Sequence, residues 1–366
     1  MRYYIIAGEA SGDLHGSNLI KALHQQDEHA TIRCWGGDKM EHAGAQLVKH
    51  YRDLAFMGFV EVIKHLGTIL NNIKFCKKDI LAFKPDVIIF IDYPGFNLRI
   101  VEWAKQQHFK TCYYISPQIW AWKENRIKLI QKYVDEMLVI LPFEEKFYAK
   151  HQYKATYVGH PLIEVVDAAL QKQTSPLAQK PIIAILPGSR TQEIQKKLPI
   201  MLGVVSHFPE YQFIIAQAPG QPESTYLPFL KNYSNISLLA NQTYSLLKQA
   251  DAALVTSGTA TLETALFGVP QVVCYKGNPL SFWLAKKLIK VPYISLVNLI
   301  LNKAAVTELI QKDLNEANLL QALRPMLNDA DHKEKLQSDY TKLWELLGNK
   351  NASQLAAQKA IALAKK

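Results

Sequence analysis

The sequence has no long hydrophobic run. Its most apolar stretch, Leu280 to Leu301, is interrupted by Lys286, Lys287 and Lys290, so nothing reaches the roughly 20 apolar residues that span a bilayer. Cysteine is scarce. Cys34, Cys76, Cys112 and Cys274 lie far apart and fit neither a C-x-x-C metal pattern nor the dense framework of a small secreted domain. Buried thiols in a reducing compartment are the expectation. A secretory leader is not expected either, because Met1 to Ala7 (MRYYIIA) is too short an apolar stretch and runs straight into a glycine-containing loop. There is no internal repeat, Arg-rich tail or zinc-finger spacing, which argues against nucleic acid as a partner.

What is there is an ordinary globular composition. Of 366 residues, 49% are hydrophobic and 20% charged, enough to bury a sizeable core. Single cores stop growing at roughly 250 to 300 residues, so two domains are expected. The net charge of +10 favours an anionic partner such as a nucleotide, a phosphorylated lipid or a membrane surface. Most of the lysines are scattered over what read as solvated helix faces.

Short apolar runs alternate with stretches of helical period: Tyr3 to Ala7 then Leu14 to His24, Val87 to Ile91 then Leu98 to Gln107, Thr111 to Ile115 then Lys123 to Tyr133. Val87-Ile88-Ile89-Phe90-Ile91 is apolar at every position, as suits a strand buried on both faces of a parallel sheet. The first lobe therefore reads as a doubly wound α/β unit. A polar stretch, Leu170 to Lys180, has a linker's composition, and the pattern then restarts with Ile182 to Leu186, Gln212 to Ala216, Ile236 to Leu239, Ala252 to Thr256 and Gln271 to Tyr275. This predicts a first lobe over 1–170, a second doubly wound lobe over 181–340, and a closing helical segment over 341–366, where Ser353 to Lys366 is rich in Ala, Gln and Lys.

Ligands of open parallel sheets sit beyond the carboxyl ends of the strands, so the loops there are the places to look for function. Leu186-Pro187-Gly188-Ser189-Arg190 joins a strand to a helix. Gly188 permits close backbone approach, and Arg190 can fork onto a phosphate; a plain βα turn with a surface Arg is the alternative. Thr256-Ser257-Gly258-Thr259-Ala260-Thr261-Leu262-Glu263 is a second such loop. It offers hydroxyl and amide donors, with Glu263 one turn into the helix for ribose hydroxyls, although Ser257 or Thr259 can equally be an ordinary helix cap. Two phosphate-type loops in one lobe is the informative pairing.

In the first lobe, Asp92 follows the strand Val87 to Ile91. It can act as a base if burial raises its pKa, or serve only as a turn aspartate. The opening loop Gly8-Glu9-Ala10-Ser11-Gly12-Asp13 with Gly16 does not match G-x-G-x-x-G, which disfavours a dinucleotide site. Ser116 to Trp122 (SPQIWAW) carries two tryptophans that can line a sugar or acyl site or simply pack. Leu54 to Phe75 mixes Phe56, Met57, Phe59, Val60, Ile63, Leu66 and Leu70 with Lys64 and Lys74. It suits a membrane interface or acyl cradle, or an amphipathic core helix.

Taken in order and spacing, GEASGD, MGFVEV, KPDVIIFIDYPGFN, SPQIWAW, LPFE, VGHP, LPGSR, TSGTATLE and FWLAKKLIKVPYISLVNLI resemble the lipid-A-disaccharide synthase family over nearly the whole chain. The resemblance implies a GT-B architecture of two Rossmann-like lobes facing a cleft. It also implies an inverting enzyme that transfers 2,3-diacylglucosamine from UDP-2,3-diacylglucosamine to 2,3-diacylglucosamine 1-phosphate, releasing UDP and a β-1,6-linked disaccharide. Asp92 matches the family's proposed base and Arg190 its donor-phosphate arginine. Ser189, Glu193, Ser257, Gly258, Thr259, Glu263 and Asn298 fall in its donor motifs, and Ser11, Trp120 and Trp122 are the acceptor-side candidates. No metal or other cofactor is called for.

The acyl chains imply peripheral contact with an anionic membrane, on the cytoplasmic face of the inner membrane. A homodimer is left open, with the last helix on the first lobe or on a partner subunit. Rival readings are a UDP-N-acetylglucosamine 2-epimerase and a non-catalytic membrane-surface scaffold. The chain departs from the family at Gly95, where Asp is common, and at Lys303 and Ala304, where Arg and Glu are common. Lys303 keeps the charge and loses the fork.

Overall fold

Apolar runs in which every residue is buried form the centres of two separate parallel sheets. The computed structural model describes residues 1–54, 66–231, 233–279, 282–283, 291–348 and 351–366. The first sheet contains β1 (Arg2–Ala7), β2 (Thr31–Gly36), β3 (Gln46–His50), β4 (Val87–Ile91), β5 (Lys110–Tyr114), β6 (Glu136–Val139) and β7 (Thr156–Tyr157), in the spatial order β3-β2-β1-β4-β5-β6-β7. The second contains β8 (Ile182–Leu186), β9 (Gln212–Gln217), β10 (Ile236–Ala240), β11 (Ala250–Thr256), β12 (Gln271–Tyr275) and β13 (Thr307–Ile310), in the order β10-β9-β8-β11-β12-β13. Both are doubly wound. Winding reverses between β1 and β4 in one sheet and between β8 and β11 in the other, where the loops after adjacent strands diverge and leave a crevice.

The chain divides into two compact units, Met1–Pro161 with Asn349–Lys366, and Leu162–Gly348. In the first unit, α1 (Ala10–Gln26), α2 (Asp38–His42), α3 (Leu66–Phe83), α4 (Pro94–Gln106), α5 (Ile119–Trp122) and α6 (Glu144–Lys150) accompany the sheet. Its core gathers Tyr4, Trp35, Phe90, Phe96 and Tyr113, all buried, each contributing about 1.5–3 kcal/mol by burial. The second unit carries α7 (Pro161–Leu170), α8 (Thr191–Leu202), α9 (Thr259–Leu266), α10 (Leu296–Leu301) and α11 (Ala330–Leu347).

The division falls before the polar stretch 170–180 and not within it, because that stretch docks on the second unit. Leu177 N donates to Gln249 Oε1 at 3.0 Å, Lys248 Nζ donates to the carbonyls of Leu170 and Lys172, and Leu177 packs against the second unit's core.

After α11 the backbone turns at Gly348 (φ 79°), and α12 (Ala352–Ala364) belongs to the first unit. Its buried face is small, Ala352, Ala356, Ala357 and Ala360, which lets it lie close against α1. Gln26 Nε2 donates to the Gln354 carbonyl at 2.9 Å across that contact.

Within Leu54 to Phe75, residues 55–65 lie outside the described residues. The part that begins α3 buries Ile73 and leaves Leu70 and Phe75 exposed, and the helix goes on to bury Cys76 and Ile80. Of Leu280 to Leu301, residues 280, 281 and 284–290 also lie outside the description. No helix among the described residues is long and apolar enough to cross a membrane.

Candidate functional site

At the switch point of the first sheet, β4 ends at Ile91 and the chain turns sharply. Asp92 and Tyr93 both adopt left-handed backbone, with φ 43° and 47°. Residues with a β-carbon keep that conformation only where their surroundings over-determine it. Here the Asp92 carbonyl accepts from Asn97 Nδ2 at 2.8 Å and from Tyr113 Oη at 2.6 Å, while Asp92 N donates to the Ile115 carbonyl at 3.2 Å. Across the crevice, after β1, the Tyr93 ring fills the space a side chain on Gly8 would take, at 2.3 Å from the position of its β-carbon. Burial pushes the Asp92 carboxyl up to about 7, and the neighbouring charge of Glu9 adds to the rise. A carboxyl of that strength can both take and release a proton near neutrality.

Glu144, which the sequence reading named only within the LPFE motif, belongs to the same neighbourhood. It is buried, and its Oε2 accepts from the main-chain N–H groups of Ile140 and Leu141 at 3.2 and 2.9 Å. Its Oε1 accepts from Trp120 Nε1 at 3.1 Å. Burial pushes its pKa up to about 7, with Asp92 among the causes. Trp120 is thus pinned, edge-on to Phe143. Trp122 is 47% exposed, with the Lys123 ammonium 4.2 Å from its ring centroid. Ser11 lies in the first turn of α1, half-buried. Two residues on, Asp13 faces away from this chemistry, accepting from Gly37 N, Lys39 N and Met40 N at 2.8, 3.2 and 3.0 Å and so capping α2.

In the second unit the two predicted loops follow β8 and β11, adjacent strands paired at Val255 and Leu186. Gly188 (φ 117°) wraps its loop around Glu193, whose Oε2 accepts from Ser189 N at 3.2 Å and whose Oε1 lies 3.6 Å from Arg190 Nη1. Ser189 and Arg190 are exposed immediately before α8. Gly258 (φ 154°) sits just before α9, where a β-carbon would meet nothing within 4 Å but would be strained by the backbone. Thr259, the first residue of α9, is exposed. Ser257 Oγ donates to the Ile294 carbonyl at 3.2 Å, and Glu263 Oε1 accepts from Tyr244 Oη at 2.6 Å.

Asn298 is the exception among the donor-loop candidates. It is buried, its Oδ1 accepts from Ala305 N and Val306 N, and its Nδ2 donates to the Val306 carbonyl and to Glu308 Oε1. All of that bonding capacity holds the 294–306 loop, and Glu308 also accepts from Ile294 N and Ser295 N. Lys303 pairs with Asp339 on α11, while Gly95 is exposed with open space at its β-carbon.

Two doubly wound units with polar loops at their switch points have the two-lobed fold of GT-B glycosyltransferases, which UDP-GlcNAc 2-epimerases share. Among solved structures, the UDP-GlcNAc 2-epimerase of Neisseria meningitidis bound to UDP-GlcNAc matches with a TM-score of 0.71 at 13% identity, covering 99% of this chain and 100% of that one. The calicheamicin glycosyltransferase matches with a TM-score of 0.64 at 15% identity, covering 100% and 98%. At those identities the likeness is one of fold.

The sequence narrows the class further, and the chain belongs to the lipid-A-disaccharide synthetase family, whose profile matches residues 3–363. It is 36% identical to the lipid-A-disaccharide synthase of Trichlorobacter lovleyi over 97% of this chain and 96% of that one. It is 38% identical to that of Coxiella burnetii (strain Dugway 5J108-111), with the same coverage.

Proposed function

We propose that the chain transfers 2,3-diacylglucosamine from UDP-2,3-diacylglucosamine to the 6-hydroxyl of 2,3-diacylglucosamine 1-phosphate, with inversion. The observation that carries this reading is Asp92, held in a left-handed turn at the end of β4 with its carboxyl pushed up to about 7. Asp92 takes the proton of the acceptor hydroxyl as its oxygen bonds to the anomeric carbon, the bond from that carbon to the diphosphate oxygen breaks, and UDP leaves. Arg190, Ser189 and the first amides of α8 and α9 receive the charge that develops on the diphosphate. Ser257, Gly258 and Thr259 shape the second donor loop, and Glu263, oriented by Tyr244, accepts from the ribose. Glu193 organises the first loop, and Asn298 holds the segment whose Ile294 carbonyl receives Ser257.

On the acceptor side, Ser11 and Trp120 border the Asp92 turn in this reading, and Trp122 with Lys123 faces acyl chains or anionic headgroups at the cytoplasmic face of the inner membrane. The test is the anomeric configuration and linkage of the product, read by NMR from an α-linked donor. A β-1,6-linked disaccharide 1-phosphate is expected. An α-linked product, or a sugar altered without transfer, overturns the reading.

A further inference from the structure

Two buried polar side chains in the second unit have no bonding partner among the described residues, and they lie together. Lys197 is 2% exposed as a residue, and among the described residues its ammonium makes no hydrogen bond or ion pair. Thr256, at the end of β11, has a buried hydroxyl without a partner.

Topology brings the two to one place. Ile194, Leu198 and Met201 of α8 pack on the sheet face that presents Ala252 and Leu254 of β11 and Cys274 of β12, and Lys197 sits at helical spacing from them. Alternation along β11 puts Thr256 on that same face, and Thr256 is paired in register with Cys274. Lys197 in turn feels the Cys274 thiol, Glu193 and Arg190. Its side chain leans toward the start of its helix, where Arg190 and Ser189 lie. Both groups therefore lie at the carboxyl end of the sheet, where the Gly188 and Gly258 loops begin.

A largely buried lysine without a direct ion pair is costly, and desolvation holds the Lys197 pKa below the usual lysine value although the charge of Glu193 offsets part of the shift. The nearby carboxylate, Glu193, is turned to Ser189 N and Arg190. An oxyanion would satisfy the ammonium and the hydroxyl at once.

We infer that Lys197 and Thr256 form an inner anion contact of the donor site, which takes a diphosphate oxygen of the nucleotide in addition to the contact made by Arg190. The inference rests on the reading of the two loops as the diphosphate grip, and it adds Lys197, which neither loop motif contains, and a role for the hydroxyl of Thr256 at the strand end.

The test is calorimetric binding of UDP, inorganic pyrophosphate and uridine to the full chain, comparing wild type with Lys197→Met, Lys197→Arg and Thr256→Val. Lys197→Met is expected to weaken UDP and pyrophosphate by about tenfold or more, the share of one charge-assisted hydrogen bond, and to leave uridine unchanged. Lys197→Arg should recover part of the loss, and Thr256→Val should weaken UDP by a smaller factor. The melting temperature of Lys197→Met should not fall, since Met keeps the volume and removes a desolvated charge that has no direct ion pair. UDP affinity unchanged in Lys197→Met, or a parallel loss for uridine, overturns the inference. A wild-type chain that binds no UDP overturns the donor reading itself, a result distinguishable because it needs no variant.

Discussion

Asn97 Nδ2 donates to the carbonyl oxygen of Asp92 at 2.8 Å, so the left-handed bend that carries the proposed base is clamped by the helix that follows it. The same amide nitrogen lies within 3.4 Å of the Ile6 carbonyl, tying the ends of β1 and β4 together. Replacing Asn97 with Ala removes this hydrogen bond and leaves the Asp92 carbonyl to Tyr113 Oη alone, at a cost of about 1–3 kcal/mol. It also frees the turn, so kcat should fall by roughly 10–100-fold while UDP affinity, assigned above to the proposed donor loops of the second unit, stays the same. Denaturant unfolding and single-turnover kinetics check the two halves of this prediction separately.

Asp92→Asn should lower kcat/KM by roughly 10²–10⁴-fold. In the wild type, activity should rise with pH through about 7, where Asp92 ionises, and the residual activity of the variant should lack that step.

The same shift has a signed consequence for stability. The folded-state pKa of Asp92 lies above that of an unfolded aspartate, so its contribution to stability is complete below about pH 4 and is lost as pH rises through the folded value. Asp92→Asn should therefore melt at a higher temperature than wild type above neutral pH, with the difference shrinking in acid. A melting series across pH, with ionic strength held constant, reads this directly.

Asp13 accepts three main-chain N–H groups at the start of α2. Asp13→Ala should cost roughly 2 kcal/mol through the lost cap and the donors left unpaired. Donor KM should be unaffected in the folded fraction, and chemical denaturation alongside initial rates distinguishes this from a role in binding.

Arg190→Lys keeps the charge and loses the planar fork, so donor KM should rise with acceptor KM unchanged. Arg190→Ala should raise it further, by about tenfold or more for a lost charge-assisted contact.

The central strands were legible because burial on both faces leaves an unbroken apolar signature. Val87–Ile91, Ile182–Leu186 and Gln271–Tyr275 are strands with the same limits as their apolar runs. The edge strand β10 was read to within one residue, as Ile236 to Leu239, but β2 and β3 were not read. Thr31–Gly36 contains Arg33, whose guanidinium pairs with Asp79, and Gln46–His50 contains Lys49, paired with Asp53. One-sided burial of this kind breaks the run.

The loops at the switch points follow from the strands, and so does the place of Asp92. Glu144 and Lys197 were hidden as site residues for a different reason, and Thr256 stood only as the first residue of its loop. Each reads as an ordinary helix or strand-end residue, and only the fold shows that it is buried. Asn298 shows the reverse case, a polar residue in a donor motif whose amide is spent inside its own loop.

The most direct measurement is UDP release from UDP-2,3-diacylglucosamine in mixed micelles, with and without 2,3-diacylglucosamine 1-phosphate, with the product detected by mass. The account predicts UDP release that depends on the acceptor and a tetra-acylated disaccharide 1-phosphate as the product. UDP release or donor turnover that proceeds equally without acceptor, or no disaccharide in its presence, would contradict it.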